Sequence, residues 1–238
     1  MSVNVRRVIR TGALTCALSA VLLGCGGGDD EDDSPRTIAA TKVCDGRLSS
    51  SAATSVEFLT GEKRLSPIGN GRADASLAKA ASALSDGYVP GEGSETDTKP
   101  ACLIVNPEGG SPDLQIGFGI TSAKAADGPA ADTFATYEVG RTALIGIARS
   151  YLYFDCVSPK LDGSTHEKPA IVFGKLTNHA EGLGRYEPAG GPDQVRAANL
   201  TLLHSLSLSM AEELGCAGGA GLDARLPPKP ATAAKEEE

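Results

Sequence analysis

Apolar positions along this chain follow two periodicities, which divide it into helical ends and a stranded middle. Ala52, Ala53, Val56 and Leu59 recur at helical spacing behind Ser49 and Ser50. Either serine can cap a helix, because a hydroxyl accepts from its first free N–H groups, and Gly61 supplies a left-handed stop. Leu77, Ala80, Ala81 and Leu84 predict a second helix over 73–84, followed by Gly87. The clearest helix starts at Pro192-Asp193 and stops at Gly215. Val195, Ala198, Leu202, Leu206, Met210 and Leu214 form its apolar stripe, widened by Leu203. At 20 or so residues it is about 30 Å long, enough to span a small sheet.

Between these helices the period falls to two. Leu114, Ile116, Phe118 and Ile120 alternate with Gln115, Gly117 and Gly119, so one face is apolar and the other nearly bare. With the short β-type run 102–105 before it, this predicts a hairpin. Residues 142–147 read as a short strand. The strongest strand is 148–157, with Leu152, Phe154 and Cys156 on one face and Tyr151, Tyr153 and Asp155 on the other. The chain turns over 158–168 and returns over 170–176. Segments 62–72, 90–100, 106–112 and 121–132 lack a pattern and read as turns and surface loops. Strands bracketed by helices predict an α+β fold: an antiparallel sheet of about four strands with helices packed on one face.

The N-terminal region changes the picture from a plain globular domain. Arg6, Arg7 and Arg10 precede an uncharged run of 14 residues, Thr11 to Gly24. That is too short for a transmembrane helix, which needs ~20 residues, but suits the h-region of a secretory signal. The run ends Leu22-Leu23-Gly24-Cys25 and resembles a bacterial lipoprotein signal. The resemblance implies a diacylglyceryl group on the Cys25 sulfur and cleavage before it, with Cys25 as the new N-terminus. Two acyl chains give stable anchoring where one is marginal. Arg6-Arg7 leaves the twin-arginine export route open beside the general one. The expected organisation is a signal over 1–24, an acidic tether over 25–41, a single domain over 42–226 and a disordered tail over 227–238. Asp29, Asp30, Glu31, Asp32 and Asp33 make the tether self-repelling and extended. They lack the spacing and glycine of an EF-hand calcium loop.

Charge and cysteine counts shift once the signal is removed. From Cys25 onward there are 19 basic and 30 acidic residues, net −11, with −4 of that on the stretch 25–36. An acidic chain argues against a nucleic-acid partner, which needs a basic footprint. Cys16 leaves with the signal and Cys25 carries lipid, so Cys44, Cys102, Cys156 and Cys216 remain. An even number in an exported chain predicts two disulfides. No pair has metal-ligand spacing, so neither a metal nor another cofactor is expected. The four lie at element ends, and a trace of similarity between the halves favours Cys44–Cys102 with Cys156–Cys216. Cys44–Cys216 with Cys102–Cys156 is the alternative. The signal, the tether, Val43-Cys44-Asp45-Gly46-Arg47-Leu48, and Leu200 to His204 before Leu214-Gly215-Cys216 together resemble exported lipoproteins of high-GC actinomycetes. That resemblance implies an envelope protein on the extracytoplasmic face of the membrane and carries no catalytic residue across.

Candidate chemistry is sparse. His166, His179 and His204 are the three histidines, and His166-Glu167 lacks the second histidine of a zinc-protease helix. No G-x-S-x-G elbow is present; Ser205, Ser207 and Ser209 are expected on the polar side of the last helix. Gly117-Phe118-Gly119 and Gly182-Leu183-Gly184 read as strand and turn glycines. Glu212-Glu213 read as solvated, and the sequon at Asn199-Leu200-Thr201 falls inside a helix. Tyr151, Tyr153 and Asp155 share a strand face that is either packing or a small binding surface. The expected role is therefore non-catalytic binding of a small molecule, a wall component or a protein. A hydrolase using His204 or His179, and a structural protein with a fixed envelope partner, stand as alternatives.

Overall fold

Ser49 opens the first helix as its side chain suggests: its hydroxyl accepts from the Ala52 N–H at 3.2 Å. In this computed structural model the described residues are 37–67, 75–94, 97–108, 111–179, 186, 188–222, 225–226 and 229–235. The signal, Cys25, the acidic run and Gly182-Leu183-Gly184 lie outside them. The elements in chain order are β1 (Ile38–Ala39), α1 (Ser50–Thr60), β2 (Arg64–Leu65), α2 (Leu77–Asp86), β3 (Lys99–Ile104), β4 (Leu114–Thr121), α3 (Ala123–Ala126), β5 (Ala135–Tyr137), β6 (Thr142–Ile145), β7 (Arg149–Cys156), β8 (Ala170–Asn178) and α4 (Pro192–Leu214). Gly61 caps α1 in the left-handed region at φ 73°, as its type predicts. Ser76 caps α2, so that helix begins four residues later than its periodicity suggests.

The α+β class is as expected, but the sheet is larger. Six antiparallel strands run in the order β3-β4-β8-β7-β6-β5, and β1 and β2 form a separate two-stranded pair. The hairpin of β3 and β4 is present, with a bulge between Pro100 and Cys102. Proline is tolerated there because β3 is an edge strand. The strand missed by pattern is β5. Its three residues are too few to show a period, and it is held by pairing Ala135 with Ile145 and Tyr137 with Ala143 of β6. The pair β1–β2 likewise draws on the turn-rich segment after α1.

Helices do not all share one face. On one face, α2 packs on β3 and β4, and α4 crosses β6, β7 and β8, while α1 lies chiefly against α4. On the other face, Ala126 of α3 sits with Tyr153, Ile171 and Phe173 in a second, smaller apolar cluster. The stripe predicted for α4 is too narrow. Fourteen of its 23 residues are buried, because it is enclosed by the sheet, α1 and α2 together. Ser207 is fully buried and Ser205 accepts from the Ser49 N–H at 2.9 Å, so these serines do not line a polar side. Gly174 of β8 makes the close approach of α4 possible: a Cβ there would lie 2.9 Å from Leu203 Cδ1 and 2.9 Å from Phe118 Cε1.

Both favoured disulfides are formed, Cys44–Cys102 and Cys156–Cys216, with Cα separations of 5.1 and 4.9 Å. The first ties the entry of α1 to β3, and the second ties the exit of α4 to the end of β7. Each cysteine at a helix end adjoins a left-handed turn: Cys44, Asp45 and Gly46 before α1, and Gly218, Gly219, Ala220 and Gly221 after α4. Of the expected tail, residues 229–235 are described, and part of them meets the sheet edge. Ala231 and Thr232 bond to Thr136 of β5, because that edge strand has outward N–H and C=O groups to satisfy.

Candidate functional site

A cleft lies where the connection after α2 meets the end of β4. A Cβ on Gly119 would lie 2.6 Å from both the Asp97 carbonyl and the Phe173 ring, so glycine lets the chain before β3 cross β4 closely. Gly93, at φ 152°, does the same one step earlier: a Cβ there would lie 2.3 Å from the Ile120 carbonyl. Ser94 N–H then donates to that carbonyl at 3.0 Å. The connection after α2 is thus pressed against the end of β4, and a cleft of about 410 Å³ opens between them.

The cleft has two kinds of wall. Leu84 at the end of α2, Val89 and Ile120 supply apolar surface. Val89 is 47% exposed, the one large apolar side chain so exposed among the described residues. Tyr88, Glu92, Ser94, Asp97 and Lys99 supply the polar rim. Lys99 Nζ donates to Asp97 Oδ1 at 2.8 Å, which leaves Glu92 as the carboxylate outside that pair. Burial pushes the Tyr88 phenol above its ordinary value, so it remains a neutral hydroxyl at and above neutral pH. This arrangement can take a small molecule with an apolar body and a polar head.

Sequence reasoning passes over these residues, treating 90–100 as a surface loop. One signal was available: Tyr88-Val89 places two large apolar side chains outside the helical stripe and just before a Gly-rich connection.

A second hollow, of about 280 Å³, lies beside the turn after α4, lined by Arg141, Asp155, His166 and Ala220 among others. Its guanidinium is already engaged. Arg141 donates to both Asp127 oxygens at 2.7 and 2.6 Å and to Asp155 Oδ1 at 3.0 Å. The hydrogen bond from Arg141 holds the Asp127 carboxyl below its ordinary value, and Asp127 in turn raises the Arg141 guanidinium. Asp127 ends α3, so this fork pins α3 over the Tyr153–Phe173 face. Its evident work is structural.

The other sequence candidates fall as follows. His166 precedes β8 and His179 follows it, so a nine-residue strand of about 30 Å separates their backbones. His204 is buried within α4. Asn199 is wholly buried, and its Nδ2 donates to the Gly146 and Ile147 carbonyls at 3.0 and 2.8 Å. It pegs the turn between β6 and β7 and offers no surface for a glycan. Glu213 is not simply solvated; it pairs with Arg47, and Glu212 lies 3.8 Å from the same guanidinium. Tyr151 and Tyr153 stack with centroids 6.4 Å apart, and Tyr153 is buried against Phe173, so this face is packing at its centre. Among the described residues no three His, Cys, Asp or Glu side chains gather as a metal site. No helix among them is long and apolar enough to cross a membrane. Comparison with protein-family models, curated proteins and solved structures finds no match to this chain.

Proposed function

We propose that this chain is an exported binding module, held on the extracytoplasmic face of the cell membrane by lipid on Cys25, with its ligand site in the cleft between α2 and β4. One observation carries the binding part: the cleft joins an apolar wall of Leu84, Val89 and Ile120 to a polar rim at Tyr88 and Glu92. Its size, about 410 Å³, falls within the ~300–1,000 Å³ of small-molecule sites. With Lys99 paired to Asp97, the remaining rim charge is that of Glu92, which favours a cationic or neutral head group over an anionic one. Leu22-Leu23-Gly24-Cys25 supports the anchor, and pairing of the four remaining cysteines suits an oxidising compartment.

The chain contains no tryptophan, so Val89→Trp places a single reporter on the cleft wall. Titration with decylamine is expected to give a saturable fluorescence shift, with a weaker response to decanoate and none in Val89→Trp/Ile120→Asp. Absence of a saturable response to both probes, or an unchanged response with Ile120→Asp, would contradict the site.

A further inference from the structure

The strand β5 is short, and it forms one edge of the main sheet. Ala135, Thr136 and Tyr137 register with Ile145, Leu144 and Ala143 of β6, and the N–H and C=O of Thr136 face outward from that pair. Both are taken by a later part of the same chain. Thr136 N–H donates to the Thr232 carbonyl at 2.8 Å, and Ala231 N–H donates to the Thr136 carbonyl at 2.8 Å. Lys235 continues the contact, its N–H donating to the Asp132 carbonyl at 2.8 Å and its Nζ to Asp132 Oδ2 at 2.6 Å.

We infer that the β5 edge is a strand-accepting site, and that residues 231–235 occupy it as a displaceable strap. Little besides main-chain bonding holds the strap. Ala231, Thr232, Ala233 and Lys235 remain exposed in place, and Ala234 alone touches the core. The Lys235–Asp132 side chains are 77% and 70% exposed, and ion pairs that open to water contribute little. The strap also displays what the edge selects: an extended segment with small side chains at the bridging positions and a base three residues beyond. A partner of that chemistry would add to the sheet by the β-augmentation mode, competing with the strap. The effective concentration of a tethered segment, of millimolar order, favours the strap until a partner matches it.

The test uses the full chain with Ala231→Pro/Lys235→Glu, which removes one main-chain donor and reverses the charge. A labelled peptide with the sequence of residues 229–238 is titrated against it by fluorescence anisotropy. Saturable binding to the variant is expected, at least about tenfold tighter than to the parent, whose edge is already filled. Equal binding to parent and variant would overturn the proposal. Hydrogen exchange of the unmodified chain gives a reading that does not depend on the variant folding. A slow Thr136 amide is expected, and one exchanging at the rate of an open loop would also overturn it.

Discussion

Single residues decide how closely the layers of this fold approach, and glycine and asparagine do most of it. Gly174 admits Leu203 of α4 to the sheet. Gly174→Ala should therefore overpack the α4 interface and cost ~1–3 kcal/mol in denaturant unfolding, with the secondary structure retained. A neutral outcome would mean that α4 stands further off than described. Asn199→Ala should cost ~1–3 kcal/mol, because the Gly146 and Ile147 carbonyls lose their donor inside the protein. These roles explain what sequence could and could not say at this scale. Gly61 and Gly215 are legible as helix stops from their place after a periodic run. Gly119 and Gly174 look like gaps in a strand, since the chains that cross them are distant in sequence. Asn199 looks like a sequon for the same reason: its partners are more than fifty residues away.

Secondary-structure elements were legible in proportion to their length. Helices α1 and α4 carry enough turns to show a stripe, and the eight residues of β7 carry enough alternation to show two faces. The strands β1, β2 and β5 span two or three residues each and exist through their partners, so no local pattern announces them. The cysteines were legible because they sit at the ends of the long elements. Their sequence separations are 58 and 60 residues, and loop entropy changes slowly with length. Replacing either pair by alanines should thus cost a similar amount, ~2–4 kcal/mol each. Chemical unfolding of the two double variants checks this, and a loss confined to one pair would show that strand pairing already holds the other.

The small helix α3 rests on the Arg141 fork. Because Asp127 has a lowered folded value, its contribution is complete above the ordinary carboxylate value of ~3.9 and is lost as pH falls through the lowered value. Melting temperatures taken downward from pH 5 should therefore fall more steeply for the parent than for Asp127→Asn. Parallel curves would remove the fork from the stability of this face.

On the scale of the whole molecule, the fold class was legible and the cleft was not. Class follows from the order of periods along the chain. The cleft needs α2, its following connection and β4 to converge, and such convergence is invisible until β4 is placed between β3 and β8. The histidines show the converse, since a short list of reactive residues invites grouping that the sheet keeps apart. An exported domain on an acidic tether would hold its cleft away from the bilayer by a distance set by the extended stretch after Cys25. Everything in that reading depends on the lipid. Intact mass and N-terminal peptide mapping of the protein recovered from membranes test it most directly. The expected product begins at Cys25 with a diacylglyceryl thioether and moves to the soluble fraction in Cys25→Ser. A mature N-terminus at any other residue, or membrane association unchanged by that substitution, would contradict it.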